Sequence, residues 1–114
     1  MKKIEAVVPH ARLDLALASL KQLGLGGLTY YESKGRGQNP IPRVQSGRGT
    51  STYVPEFNVN STIVVVIRDA QLQNVVNALV DSTSTGLAGE GKIFVSDVED
   101  AVDIGSRRRG EDQV

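Results

Sequence analysis

Six consecutive residues, Thr62-Ile63-Val64-Val65-Val66-Ile67, are apolar or β-branched at odd and even positions alike. Side chains alternate between the two faces of a strand, so a strand of this kind needs cover on both sides. A chain of 114 residues forms one domain, and its helices can cover only one face of a four-stranded sheet. The economical cover for the other face is a second copy of the same chain.

The other elements follow from periodicity. Lys3 to Val8 alternates, with Ile4, Ala6 and Val8 on one face and Lys3, Glu5 and Val7 on the other, and Pro9 breaks the ladder. From about Arg12, Leu13, Ala16, Leu17, Leu20 and Leu23 form a helical stripe that Gly24 ends. Leu28 to Lys34, after Gly26-Gly27, reads as a second strand. Beyond the Thr62–Ile67 strand, Asp69 is placed to cap a helix with the stripe Leu72, Val75, Val76, Leu79 and Val80, closed by the polar run Asp81 to Thr85. Lys92 to Val98 is the fourth strand. The order strand, helix, strand, strand, helix, strand predicts an α+β, ferredoxin-like βαββαβ sandwich: an antiparallel sheet with two helices on one face.

Thr85 to Val95 carries three glycines and a lysine into an apolar strand. Glycines let backbone N–H groups turn toward a ligand, and a lysine adds charge for an anion. Gly86 to Lys92 satisfies G-x-x-x-x-G-K, but Ile93 stands where a P-loop needs Ser or Thr, and a strand follows where a helix should. The stretch is therefore either a phosphate-binding loop of another kind or a plain helix-to-strand connection.

Between Gly35 and about Asn60 lies a segment without periodicity that holds Pro40, Pro42 and Pro55, and Arg36, Arg43 and Arg48 against Glu56 alone. It is a mobile recognition loop or an unstructured hairpin tip. The end of the chain has no apolar pattern; Arg107-Arg108-Arg109 there form a solvated tail or fold over a phosphate. His10, the one histidine, reads as structural, and no His, Asp or Glu cluster has metal-ligand spacing.

A formal charge of zero disfavours a general nucleic-acid binder, and the absence of cysteine excludes thiolate chemistry. Met1 to Glu5 offers neither a signal peptide nor a membrane span, so the cytoplasm is the expected compartment. An RNA-binding sheet would want aromatics on its central strands, and only Phe94 on the last strand answers. The alternative enzyme reading, a small ferredoxin-like phosphohydrolase, has Glu90 as the only carboxylate near the loop and no evident nucleophile.

With these parts in place, the chain resembles the PII family of nitrogen-regulatory signalling proteins over its length. Met1 to Val8 is similar to that family's first strand, and Leu13-Asp14 with Leu23-Gly24 to the ends of its first helix. Gly27-Leu28-Thr29 and Lys34-Gly35-Arg36-Gly37-Gln38 resemble the approach to its T-loop. Thr85-Gly86 through Gly89-Glu90-Gly91-Lys92-Ile93-Phe94-Val95 resembles its B-loop, with Glu90 where aspartate is usual. The resemblance implies one domain over 1–114, with a mobile T-loop at 36–60, a B-loop at 82–92 and a tail at 103–114.

It further implies a homotrimer, not an enzyme, that binds ATP or ADP in clefts between subunits, with magnesium and 2-oxoglutarate as candidate co-ligands. Through its T-loop such a protein regulates an ammonium transporter or a nitrogen-metabolism enzyme. Carried over by position, Val7, Thr29, Gly35, Arg36, Gly37, Ile63 and Val64 line the nucleotide cleft. Gly89, Glu90, Gly91 and Lys92 hold phosphates, and Gln38 contacts the nucleotide and its metal. Two arginines expected after the last strand are replaced by Asp103 and Gly105, with Arg107 to Arg109 as the nearest substitutes. Asn58 and Asn60 occupy the region of a lysine that pairs with 2-oxoglutarate, which leaves AMP or ADP preference over ATP open. Arg48-Gly49 and Tyr53 resemble the family's modified-tyrosine context with altered spacing, and Ser51 is a second candidate.

Overall fold

The computed structural model describes residues 1–37, 44–45, 52–53 and 57–114. In chain order its elements are β1 (Lys2–Pro9), α1 (Leu13–Gln22), β2 (Thr29–Gly35), β3 (Val44–Gln45), β4 (Thr52–Tyr53), β5 (Asn58–Ile67), α2 (Leu72–Thr83) and β6 (Lys92–Asp97). Short 3₁₀ turns precede both helices, at His10–Arg12 and Asp69–Gln71. Four strands form one antiparallel sheet in the order β2-β5-β1-β6, the ferredoxin-like arrangement.

Register decides what each face carries. Ile4 pairs with Val65, Ala6 with Ile63 and Val8 with Ser61, and all six are buried. Leu13, Ala16 and Leu20 of α1 and Val75 and Leu79 of α2 pack on that side to complete the core. Full burial of a leucine such as Leu20 contributes about 1.5–3 kcal/mol. The opposite face carries no helix among the described residues. Its central row runs Thr29, Val64, Glu5, Phe94 across the four strands, and the next runs Tyr31, Thr62, Val7, Lys92. Val64 and Val66 are only half-buried there, and Phe94 is 55% exposed. Within one chain, then, the Thr62–Ile67 run has its helix side covered and its other side largely open.

Several boundaries move for physical reasons. Pro9 ends β1 from inside, paired with Asn60. The strand expected at Thr62 begins four residues earlier, because Asn58 to Ser61 pair with Glu32 to Gly35 of β2. Gly24 closes α1 as expected: at φ +80 it donates to the Lys21 carbonyl, while the Leu25 N–H reaches Leu20.

Asp69 is not the cap of α2. Its carboxylate lies 3.0 Å from the amino group of Met1, and the turn before α2 is closed by Gln71 accepting from the Arg68 N–H at 3.0 Å. The insertion is not devoid of regular structure, since Val44–Gln45 and Thr52–Tyr53 pair antiparallel. The C-terminus is mostly exposed to solvent, as expected, but it is also tied down. Val102 bridges Arg109, Arg109 binds Asp100 at 2.7 Å, and Arg68 donates to Asp112 at 3.0 Å. These polar links fold the tail back beside the start of β1, where the Val98 N–H bonds the Met1 carbonyl.

Candidate functional site

The glycine loop joins α2 to β6 at the end of the sheet where β1 finishes and β2 leaves for the insertion. Hydrogen bonds stitch its first half. Thr85 donates to the Glu90 carboxylate at 2.5 Å, and the Leu87 N–H reaches back to the Thr85 hydroxyl. Gly86, Gly89 and Gly91 all take positive φ. At Gly91 nothing but glycine fits: φ is +113, and a Cβ would sit 2.9 Å from the Val7 carbonyl oxygen. The backbone there presses on β1 and leaves its other side to the solvent.

That other side faces a cleft of about 590 Å³. Gly89 to Lys92 form one wall, Gly35 to Gly37 and Asn58 to Asn60 the other, and Val7, Pro9 and His10 the end. Lys92 has no ion-pair partner among the described residues, and the amides of Gly89 and Gly91 meet no acceptor among them. An anion entering the cleft would meet Lys92 beside a glycine backbone whose Gly89 and Gly91 amides have no acceptor among the described residues, the kind of groups that hold phosphate or carboxylate. The Arg36 guanidinium stacks 5.8 Å from the Phe57 ring centre, clasping the two ends of the insertion at the cleft's rim.

A smaller hollow, about 340 Å³, lies on the helix side of the same loop, between Val76 and Val80 of α2 and Leu87. Among the described residues no group of three or more His, Asp or Glu side chains could hold a metal ion.

Of the residues the sequence nominated, Val7, Gly35, Arg36, Gly37, Gly89, Glu90, Gly91 and Lys92 come together in the cleft. Thr29 and Val64 do not line it; they face each other across β2 and β5 on the open side of the sheet. Ile63 does not line it either: its side chain is wholly buried on the helix side, in the core, which leaves only its main chain for a ligand. Arg107 follows the far end of β6, away from Lys92 in the same chain, at φ 64 in the tail turn. Gln38, Arg43, Arg48, Ser51 and Glu56 lie outside the described residues.

Sequence reasoning read His10 as structural, and noted Asn58 and Asn60 only as standing in the region of a lysine that is absent. His10 lines the cleft with Nδ1 3.0 Å from the buried Ser61 hydroxyl, and Asn58 and Asn60 stand opposite the loop.

The sequence model for the nitrogen regulatory protein P-II matches residues 1–110. The chain belongs to the P-II family. Full-length relatives include the P-II proteins of Rhodospirillum rubrum, 37% identical, and Cereibacter sphaeroides, 38% identical, each aligned over 100% of both chains. Among solved structures, Arabidopsis thaliana PII bound to citrate superposes with a TM-score of 0.75 at 26% identity, covering 97% of this chain and 89% of that one. P-II proteins are nitrogen-regulatory signal-transduction proteins and not enzymes, so the phosphohydrolase alternative falls away.

Proposed function

We propose that this P-II chain senses cellular energy and nitrogen state by binding adenine nucleotides in clefts between the copies of a homotrimer. ATP and ADP are the ligands, with AMP a further candidate. The observation that carries the proposal is Lys92, without an ion-pair partner among the described residues, beside Gly89 and Gly91 and opening on a cleft whose other wall is the base of the insertion.

The open sheet face supports the seam between copies. Val7, Val64 and Val66 lie there half-buried and Phe94 exposed, and a neighbour's sheet would bury them further. In that arrangement Thr29 and Val64 would serve the nucleotide from the open face, and Arg107 from the tail of an adjacent copy. Citrate in the Arabidopsis relative fits a site made for anions. Magnesium, with Gln38 as its contact, and 2-oxoglutarate are the co-ligands to test, the latter against a cleft that offers Asn58 and Asn60.

Nucleotide binding would order the loop at 36–60 from its base and shift it among shapes that a partner distinguishes. That partner is an ammonium transporter or a nitrogen-metabolism enzyme. The chain works in the cytoplasm; no helix among the described residues is long and apolar enough to cross a membrane.

Native mass spectrometry with ATP, ADP and AMP, with and without magnesium and 2-oxoglutarate, tests this directly. Three copies carrying up to three nucleotides are expected. A nucleotide-free monomer under every condition would refute the proposal.

A further inference from the structure

Arg36 and Phe57 face each other one step beyond the sheet. The last rung between β2 and β5 pairs Gly35 with Asn58, and the same antiparallel register sets Arg36 opposite Phe57. The central carbon of the Arg36 guanidinium lies 5.8 Å from the centre of the Phe57 ring, within reach of the attraction between a cation and an aromatic face. Arg36 lines the large cleft, whereas Phe57 lies outside its lining and is 45% exposed. The ring therefore touches the arginine and not the cleft.

Close backbone approaches bracket Arg36. A Cβ on Gly35 would lie 3.0 Å from the Asn60 side-chain nitrogen, and one on Gly37 would lie 3.3 Å from the Gly89 carbonyl oxygen. The main chain is thus held between β5 and the glycine loop. What remains to be ordered is the long arginine side chain, and ordering it at the moment of binding costs affinity. A ring beside the guanidinium orders it beforehand, and does so without neutralising it as a carboxylate would. Lys92 stands on the opposite wall of the cleft, and the Glu90 carboxylate between them is bonded to Thr85.

We propose that Phe57 is a positioning residue of the anion cleft: it holds the Arg36 guanidinium at the rim, so that a group bound beside Lys92 is met by a cation from each wall. The inference rests on the anion site proposed above, and Phe57 itself touches no ligand. The arrangement suits a ligand whose negative charge is spread over more than one group, as in a diphosphate.

The test is calorimetric titration of ADP into wild type, Phe57→Leu, Phe57→Tyr, Arg36→Gln and the variant that combines Phe57→Leu with Arg36→Gln. Phe57→Leu keeps an apolar side chain and removes the ring, and is expected to weaken ADP binding about two- to fivefold, the range for a cation on an exposed ring. Phe57→Tyr, which keeps the ring, should bind as wild type does. Arg36→Gln should lose at least as much as Phe57→Leu. In the Arg36→Gln background Phe57→Leu should have no further effect, because the ring then has no cation to place. Melting curves of the free proteins separate loss of the contact from loss of the fold. Equal affinities of wild type and Phe57→Leu, or a Phe57→Leu loss undiminished in the Arg36→Gln background, would overturn the role of Phe57 and leave the anion site standing. No heat from wild type would overturn the nucleotide site and this inference with it.

Discussion

Gly37 lies close against Gly89: a Cβ built on Gly37 would lie 3.3 Å from the Gly89 carbonyl oxygen. The first residues of the insertion therefore rest on the loop proposed to hold phosphate. Gly37 has no left-handed backbone, so an added methyl acts through this contact and not through strain. Gly37→Ala is expected to leave stability within about 0.5 kcal/mol of wild type, as exposed positions do. ADP affinity should fall about fivefold, the loss of about 1 kcal/mol from one displaced hydrogen bond. Thermal melting and calorimetry read the two effects separately; unchanged affinity would mean that the loop base and the glycine loop are independent.

Gly91 makes the opposite kind of contact. A Cβ there meets the Val7 carbonyl at 2.9 Å, and φ of +113 is costly for any other residue. Gly91→Ala is expected to cost about 1–3 kcal/mol from backbone strain alone. Denaturant unfolding should show it as a lower midpoint at unchanged slope.

The tail turn carries a pH dependence. The Asp103 carboxyl is held below the ordinary carboxylate range, first by the Ser106 backbone N–H that donates to it at 2.7 Å and then by the Ser106 hydroxyl. A carboxyl lowered on folding stabilises above its unfolded value and loses that contribution as pH falls through the folded one. The turn should thus hold at neutral pH and loosen below about pH 4. The Ser106 amide resonance is expected to shift over that range in wild type and to stay flat in Asp103→Asn.

The periodic parts of this fold were legible in the sequence because the core writes its own pattern. Ile4, Ala6 and Val8 alternate, and Leu13, Ala16 and Leu20 recur at helical spacing, since each set packs on the same core. The glycine spacing announced the loop for a similar reason, because Gly91 is required by its approach to Val7. Contacts between residues distant in sequence left no such trace. Asp69 has the residue type of a helix cap, yet its partner is the amino group of Met1. The tail is built from ion pairs and turns that have no period. Ile63 shows the limit of a strand apolar at both parities, which does not say which residues face the core. His10 looked isolated because only the register of β1 and β6 brings it to the glycine loop.

Core packing gives a check on the helix side of the sheet. Leu20→Ala removes a side chain that is wholly buried, and is expected to cost about 2–5 kcal/mol. Leu15→Ala, one turn earlier on the exposed face of α1, should cost far less. Similar losses from both would contradict the placement of the two helices on one side.

The central claim is that Lys92 and the amides before it hold the charged tail of an adenine nucleotide. Titration of ADP and ATP into wild type and Lys92→Ala by calorimetry tests it most directly. Loss of one charge-assisted contact should weaken binding by about 1.5–3 kcal/mol, or roughly ten- to 150-fold, with the melting temperature of the free protein unchanged. Equal affinities in the two proteins, or no heat from wild type with either nucleotide, would contradict it.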